Sequence, residues 1–232
     1  MRQLPRQPTL PCPGRARPAS LPFLPLSRWP LALPLAPRGD VSTWWQALLP
    51  AVLASALALF FDWLHHGVDH LAERFTRPWA RVLVGSALLA GLLAAVPLLR
   101  FSGHAELPEL VALVENSAWW ALAGLALLKV VATVLSLSAG WPGGEFFPLA
   151  FAGAAAGLLT TALLPGTDAG AALAAGMVAA TTVAVKKPLA IVLIMVFILP
   201  GTALGPLLVA SAVGTLVVKL AEARTPAAAK GH

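Results

Sequence analysis

Residues 188–218 read PLAIVLIMVFILPGTALGPLLVASAVGTLVV, which is 31 consecutive amino acids without a charged side chain. A helix needs about twenty apolar residues to cross the hydrocarbon core of a bilayer, so this run indicates membrane insertion. Leu199-Pro200-Gly201 and Gly205-Pro206 interrupt the run. Because proline removes a backbone donor and clashes with the preceding helical turn, we predict two short helices separated by a break.

Five further apolar runs precede this one. They are residues 41–61 with the polar helix tail 62–74, residues 82–99, residues 116–144 interrupted only by Lys129, residues 146–167 and residues 169–185. Helices broken at membrane depth are tolerated only where protein or a water-filled cavity surrounds them, which is typical of channels and transporters. The sequence therefore predicts an all-α, polytopic membrane protein with short, tilted and re-entrant helices.

Composition excludes several other classes of protein. Of the 232 residues, 58% are hydrophobic and 11% are charged, whereas soluble domains carry about a quarter charged residues. Disorder over the whole length is excluded by the same numbers, and the single cysteine, Cys12, excludes a disulfide framework. The net charge of +6 is scattered between apolar runs, so we predict the lipid bilayer as a partner and no nucleic acid.

The first forty residues differ from the rest because they contain ten of the 21 prolines. We predict a proline-rich disordered leader at residues 1–40, a membrane region at 41–220 and a disordered C-terminal tail at 221–232. A secretory signal peptide is the alternative for the leader, since it also begins basic and then becomes apolar. Prolines interrupt each of its candidate apolar cores, at Pro22, Pro25, Pro30 and Pro34.

The segment Gly143-Gly144-Glu145-Phe146-Phe147-Pro148 places glycines directly before an apolar helix. The first turn of a helix exposes backbone N–H groups and carries about half a positive charge. Inside a membrane such a helix end can hold an anion without a basic side chain, because glycines allow the ion to approach closely. The alternative interpretation is an ordinary turn between a loop and a helix.

This segment resembles the GxFxP signature of the CLC chloride channels and transporters. The resemblance covers about residues 44–220, because other parts of the chain are also similar to the second of the two inverted halves of a CLC subunit. These parts are residues 41–74, 77–99 and 101–115, Gly176-Met177, Lys187-Pro188-Leu189 and residues 205–214. The resemblance implies a multi-pass protein of the plasma or inner membrane.

The resemblance also implies a function and a site. It implies transport of chloride or a related anion, with no enzymatic activity, catalytic residue, metal or cofactor. The anion would be bound by backbone N–H groups at Gly144, Glu145, Phe146 and Phe147. A glutamate at the second position of GxFxP departs from the usual apolar residue, and its charge would either point away from the anion or weaken its binding.

Other family elements have no counterpart here. The GSGIP and GxEGP strings of the first CLC half do not occur, and the chain contains no tyrosine to match the family's chloride-binding tyrosine. We therefore expect a homodimer or a separately encoded first half as partner. The alternative is a fragment that does not transport by itself. Whether transport is passive or coupled to protons depends on glutamates of the missing half.

Three polar features allow other readings. The first is the stretch of Asp62, His65, His66, Asp69 and His70, whose helical spacing would suit a zinc site in a membrane metalloprotein; its alternative is a polar helix end at the membrane surface. The second is Lys129, which must either reach the interface or find a partner. The third is the pair Glu106 and Glu109, for which an interfacial loop is the alternative to a proton relay.

Overall fold

The computed structural model describes residues 44–74, 77–100, 107, 110, 119–199 and 202–224. The predicted leader at 1–40 and both Glu106 and Glu109 lie outside the described residues. Within the described ranges the chain forms seven α-helices and no strand, as the sequence predicted. They are α1 (Leu48–Ala72), α2 (Pro78–Ala95), α3 (Trp119–Ser138), α4 (Phe146–Leu163), α5 (Ala169–Val185), α6 (Pro188–Ile198) and α7 (Leu204–Arg224).

The helix α5 forms the core of the described region. It is built almost entirely from alanine, glycine, valine and threonine, and every residue from 170 to 183 is buried. It packs most extensively on α4 and also contacts α1, α6 and α7. A helix that is apolar on all sides can be buried on all sides, which explains its central position.

Glycines allow α4 and α5 to approach until their backbones touch. A Cβ atom added at Gly153 would overlap the carbonyl group of Gly176, and one added at Gly157 would overlap the carbonyl group of Ala172. Small residues spaced four apart give such close helix pairs in membranes, where dispersion contacts rather than the hydrophobic effect drive association. The small-residue pattern of the sequence thus sets the central contact.

Local sequence signals end and begin the helices. Asp168 caps α5, since its Oδ1 accepts a hydrogen bond from the Ala171 N–H at 2.8 Å. The preceding turn contains Gly166 with a φ of 92°, a conformation that glycine adopts without strain. The predicted division of residues 146–185 into two helices is therefore confirmed.

The last apolar run is divided into two helices as predicted, but only α6 is short, since α7 has 21 residues. Helix α6 ends at Ile198 and α7 begins at Leu204, so Gly205 and Pro206 lie in the first turn of α7 instead of breaking it. A proline is tolerated there because first-turn N–H groups have no intrahelical partner. Helix α7 also continues to Arg224, so residues 221–224 of the predicted C-terminal tail are helical.

Four of the described helical segments are long and apolar enough to cross a membrane. They are Trp45–Ala72, Trp119–Ser138, Phe146–Leu163 and Leu204–Arg224. Exposed tryptophans stand at helix starts, with Trp45 before α1, Trp79 in α2 and Trp120 in α3. Tryptophan is enriched where a helix meets the membrane surface, so this placement agrees with a chain that spans the bilayer.

Candidate anion site

The loop between α3 and α4 begins with a glycine-terminated helix end. The Gly140 N–H donates to the Leu137 carbonyl at 2.9 Å, and the Trp141 N–H donates to the Ser136 carbonyl at 3.2 Å. Gly140 has a φ of 91°, so this is the Schellman arrangement that satisfies the last carbonyls of a helix. The Trp141 indole N–H also donates to Ser86 Oγ of α2 at 3.1 Å, which anchors the loop.

Helix α4 begins directly after this loop. Glu145 occupies the N-cap position, and its side chain makes no capping hydrogen bond to the first turn. Pro148 lies in that first turn, where its missing N–H removes no helical hydrogen bond. The first-turn N–H groups of α4 thus donate no hydrogen bond to the N-cap side chain.

Gly143 and Gly144 face open space in front of α4. A Cβ atom added at either position would meet no heavy atom within 4 Å. Neither residue has a positive φ. A side chain at Gly144 is therefore compatible with the backbone and would occupy the open space instead.

Both glycines also border a cavity of about 220 Å³. Helices α2 and α3 and the start of α4 form its walls. Its polar or backbone-rich lining consists of Lys129, Thr133, Ser136, Gly143 and Gly144, and leucine, alanine and proline side chains complete it. Lys129, two hydroxyl-bearing residues and the glycines before α4 therefore border one cavity.

Lys129 is buried in α3, with only 2% of its surface exposed. Its Nζ donates to the Leu99 carbonyl at 2.9 Å and lies 5.1 Å from the centre of the Phe151 ring. Both contacts stabilise an ammonium group, one by a charge-assisted hydrogen bond and the other by a cation–π interaction. A backbone carbonyl and an aromatic ring are thus among the partners of Lys129, whose need for a partner was predicted.

Glu145 is half-buried and belongs to a different group of side chains. The charges of Asp62 and His65, both on α1, act on its carboxyl group. Burial raises the pKa of Glu145 and the neighbouring Asp62 carboxylate raises it further, whereas His65 acts in the opposite direction. Glu145 is not among the residues that line the cavity.

The two phenylalanines of the segment differ in burial. Phe146 is half-buried and Phe147 is 45% exposed, and their rings meet edge to face at 5.1 Å. Of the residues predicted to bind the anion through their N–H groups, Gly144 borders the cavity, while Glu145, Phe146 and Phe147 follow it into the first turn of α4. Anion binding at these four residues remains a prediction.

Comparison with known proteins now bears directly on this site. The voltage gated chloride channel profile matches residues 28–219. The chain belongs to this family. The matched residues include the loop before α4, α4 itself and the residues that line the cavity. The match begins within residues 1–40, which we predicted to be a disordered leader. With four membrane-capable helices, a chain of this family is an integral membrane protein.

Three related bacterial proteins are similar over most of the chain. Each is named "Putative ion-transport protein YfeO", and they come from two strains of Escherichia coli (IAI39 and SMS-3-5) and from Escherichia fergusonii. Each is 25% identical over 183 residues, which is 76% of this chain and 43% of the relative. The chain therefore spans less than half the length of the curated relatives it matches.

The structure does not assemble the zinc site that the histidine spacing suggested. His65 Nε2 lies 3.4 Å from Asp69, and His70 Nδ1 lies 3.6 Å from Glu73. The exposed His66 contacts the backbone carbonyl of Asp62 at 2.6 Å. Across residues 44–74, 77–100, 107, 110, 119–199 and 202–224, no three such ligands lie close enough to hold a metal ion. The spacing of the acidic residues and histidines at the end of α1 therefore brings their side chains together only in pairs.

Sequence reasoning missed two features of the site. It treated Lys129 as an isolated charge, and it did not connect the polar end of α1 with Glu145. Lone charges inside apolar runs were the available signal, since such residues usually mark functional sites in membrane proteins. Which of these charged residues lie near one another depends on how the helices pack, so their spacing in the sequence could not show it.

Proposed function

We propose that this chain forms part of a pathway that carries chloride or a related anion across the plasma or inner membrane. Membership of the voltage gated chloride channel family supports this proposal. The anion is held in front of α4 by the backbone N–H groups of Gly144, Glu145, Phe146 and Phe147. The protein acts by transport and not as an enzyme, and the anion is its transported ligand.

The observation that carries the proposal is the cavity in front of α4. It is bordered both by the glycines before α4 and by the buried residue Lys129. A helix N-terminus attracts anions through its dipole, and a nearby cation in a partly dehydrated space adds to that attraction. Both features favour a small anion over a cation.

The chain supplies one part of the pathway in this proposal. It spans 43% of each YfeO relative, and the described residues that line the cavity come from α2, the turn at Leu99, α3, the loop after it and the start of α4. We expect the remaining walls to come from a further polypeptide segment, either a CLC-type first half or a second copy of the chain.

Two substitutions next to the cavity test the site. We expect Gly144→Val to weaken chloride binding by about ten-fold or more, because the new side chain enters the space that the anion occupies. Glu145→Ala should bind chloride more tightly than the unaltered chain, since a negative charge is removed and the backbone amides remain. Calorimetry on the purified full chain in detergent, titrated with chloride, measures both effects.

Gly67→Val provides the matched control. Gly67 lies on α1, and a Cβ atom added there also meets nothing within 4 Å, but the residue does not border the cavity. The control should bind chloride like the unaltered chain. The amide-site proposal is wrong if Glu145→Ala abolishes binding while Gly144→Val leaves it intact. Absence of chloride binding in all four proteins would instead favour the fragment without transport activity.

A further inference from the structure

A second cavity lies between the end of α1, the start of α2 and the end of α3. It has a volume of about 230 Å³. Among the described residues, its lining has no member in common with that of the cavity in front of α4. Arg81 and Ser138 are its polar lining residues, and aliphatic side chains and a glycine form the rest. The cavity therefore combines an apolar lining with one cationic residue.

The apolar part of this second cavity opens at the outer surface of the described helices. Leu71 of α1 is 58% exposed, and Val84 and Leu88 of α2 are 44% and 56% exposed. Ala72 and Ser138 are buried behind them. Lipid tails are as apolar as leucine, so in a membrane-spanning chain an opening of this kind can admit an acyl chain.

Arg81 is held at the border of the second cavity by contacts with two other helices. Its Nε donates a hydrogen bond to the Ser138 carbonyl of α3, and its Nη2 lies 3.9 Å from Asp69 of α1. A guanidinium group has five N–H donors, and among the described residues these contacts engage Nε and Nη2. With 33% of the side chain exposed, Arg81 can therefore donate further hydrogen bonds, and phosphate is an acceptor that arginine suits.

The start of α2 adds positive charge next to Arg81. Arg77 occupies the N-cap position of α2, and the first turn contains no acidic residue. Within the described part of the chain, no side chain caps the N–H groups of that turn, which carries about half a positive charge. Arg74, in the link before α2, is exposed as well. Three arginines and a helix start thus favour an anion at this end of the cavity.

The acidic residues of the same region are paired with basic ones. Asp69 lies 3.4 Å from His65 Nε2 and also contacts Arg81, and Glu73 lies 3.6 Å from His70 Nδ1. Residues 69–81 contain these two acidic residues and three arginines. A net positive charge therefore remains beside the cavity after the pairs have formed.

Trp79 indicates how deep in the membrane the cavity lies. Its ring is 58% exposed, and the Arg77 guanidinium carbon lies 5.9 Å from the ring centre. Tryptophan is enriched at the headgroup level, and arginines in a short link are typical of the cytoplasmic side, whose leaflet contains anionic lipids. From Arg81 to Leu88, α2 rises by about 10 Å. The charged border thus lies at headgroup depth, and the apolar lining continues into the hydrocarbon layer.

We propose that this second cavity binds one anionic phospholipid. The phosphate lies at Arg81 and Arg77, and one acyl chain follows Val84 and Leu88 into the space between α1, α2 and α3. Basic pockets between transmembrane helices bind anionic lipid headgroups through such charges. The lipid binds without any covalent step, and its site is separate from the proposed anion pathway.

Native mass spectrometry of the purified full chain in detergent tests the headgroup preference. Dioleoyl phosphatidylglycerol should be retained at one molecule per chain and bound at least about five-fold more tightly than dioleoyl phosphatidylcholine. The two lipids have the same acyl chains and differ in net charge. Glycerol phosphate, which has the anionic group without acyl chains, should not displace the lipid. Displacement by glycerol phosphate would show a site for free phosphate and would overturn the lipid site.

Leu88→Trp tests the place of the acyl chain. The larger side chain occupies the space along α2, so phosphatidylglycerol should bind about ten-fold more weakly or not at all. Leu83→Trp is the matched control, because Leu83 is 61% exposed on the same helix and is not a lining residue of the cavity. The control should bind the lipid like the unaltered chain.

Arg77→Gln tests the charged border. Each arginine near an anionic lipid contributes about a five-fold change in binding, so this variant should bind phosphatidylglycerol about five-fold more weakly and phosphatidylcholine as before. Arg100→Gln is its control. Arg100 is exposed beyond the other end of α2, where its Nε donates to the Leu93 carbonyl at 3.1 Å, and its replacement should leave lipid binding unchanged.

Three results would overturn the lipid site. The first is equal retention of phosphatidylglycerol and phosphatidylcholine by the unaltered chain. The second is unchanged phosphatidylglycerol binding in both Leu88→Trp and Arg77→Gln. The third is a Leu88→Trp variant that changes the oligomeric state of the chain but not its lipid binding, since the cavity would then border a second copy of the chain. None of these measurements involves chloride, so the lipid site and the proposed function fail separately.

Discussion

Gly176→Leu is expected to prevent stable folding of the chain. A Cβ atom at Gly176 would overlap the Gly153 carbonyl and approach Gly157 Cα to 3.0 Å, so the backbones of α4 and α5 would have to separate. Overpacking a core usually costs about 1–3 kcal/mol, and backbone displacement along the central helix pair lies at or above that range. Thermal unfolding in detergent, followed by circular dichroism, should show a large loss of stability.

Gly91→Leu is the control for this substitution. Gly91 lies in α2, and a Cβ atom added there meets nothing within 4 Å. Leucine also has a higher helix propensity than glycine, so this variant should unfold at or above the temperature of the unaltered chain. Similar unfolding temperatures for both variants would contradict the close α4–α5 contact.

Lys129→Met is expected to weaken chloride binding strongly. The substitution removes the buried cation of the cavity while keeping a long, flexible side chain. A unit charge acting across a few ångströms at an effective dielectric constant of about 20 contributes on the order of 1–4 kcal/mol, which corresponds to a weakening of about ten-fold or more. Chloride titration of the purified chain by calorimetry measures the change in affinity.

The effect of Lys129→Met on stability should be small by comparison. The Leu99 carbonyl loses its hydrogen bond, which costs about 1–3 kcal/mol, but the chain no longer buries a charge, and this gain offsets much of the loss. Lys129→Arg retains the cation and should retain most of the chloride affinity. The electrostatic role of Lys129 is refuted if both variants bind chloride like the unaltered chain, or if Lys129→Met only lowers the unfolding temperature.

Much of the helical architecture could be predicted from local signals. The turn at residues 164–168 contains a proline, a glycine and the capping Asp168. These residues act locally, so the division of residues 146–185 into two helices could be predicted from the sequence. Pro206 shows the limit of such reasoning. Whether a proline breaks a helix or lies in its first turn depends on where the helix starts, and α7 starts at Leu204.

The sequence by itself determined that this chain crosses a membrane, that it is helical, and that its glycine-rich segment precedes a helix. Run length, composition and helix-capping signals are local properties of the sequence, so they can be recognised without knowing the fold. Only the tertiary structure decided that Lys129 reaches the Leu99 carbonyl and that His65 of α1 lies 3.4 Å from Ser138 at the end of α3. These contacts join residues far apart in the chain, and their geometry follows from how closely α1, α3, α4 and α5 pack.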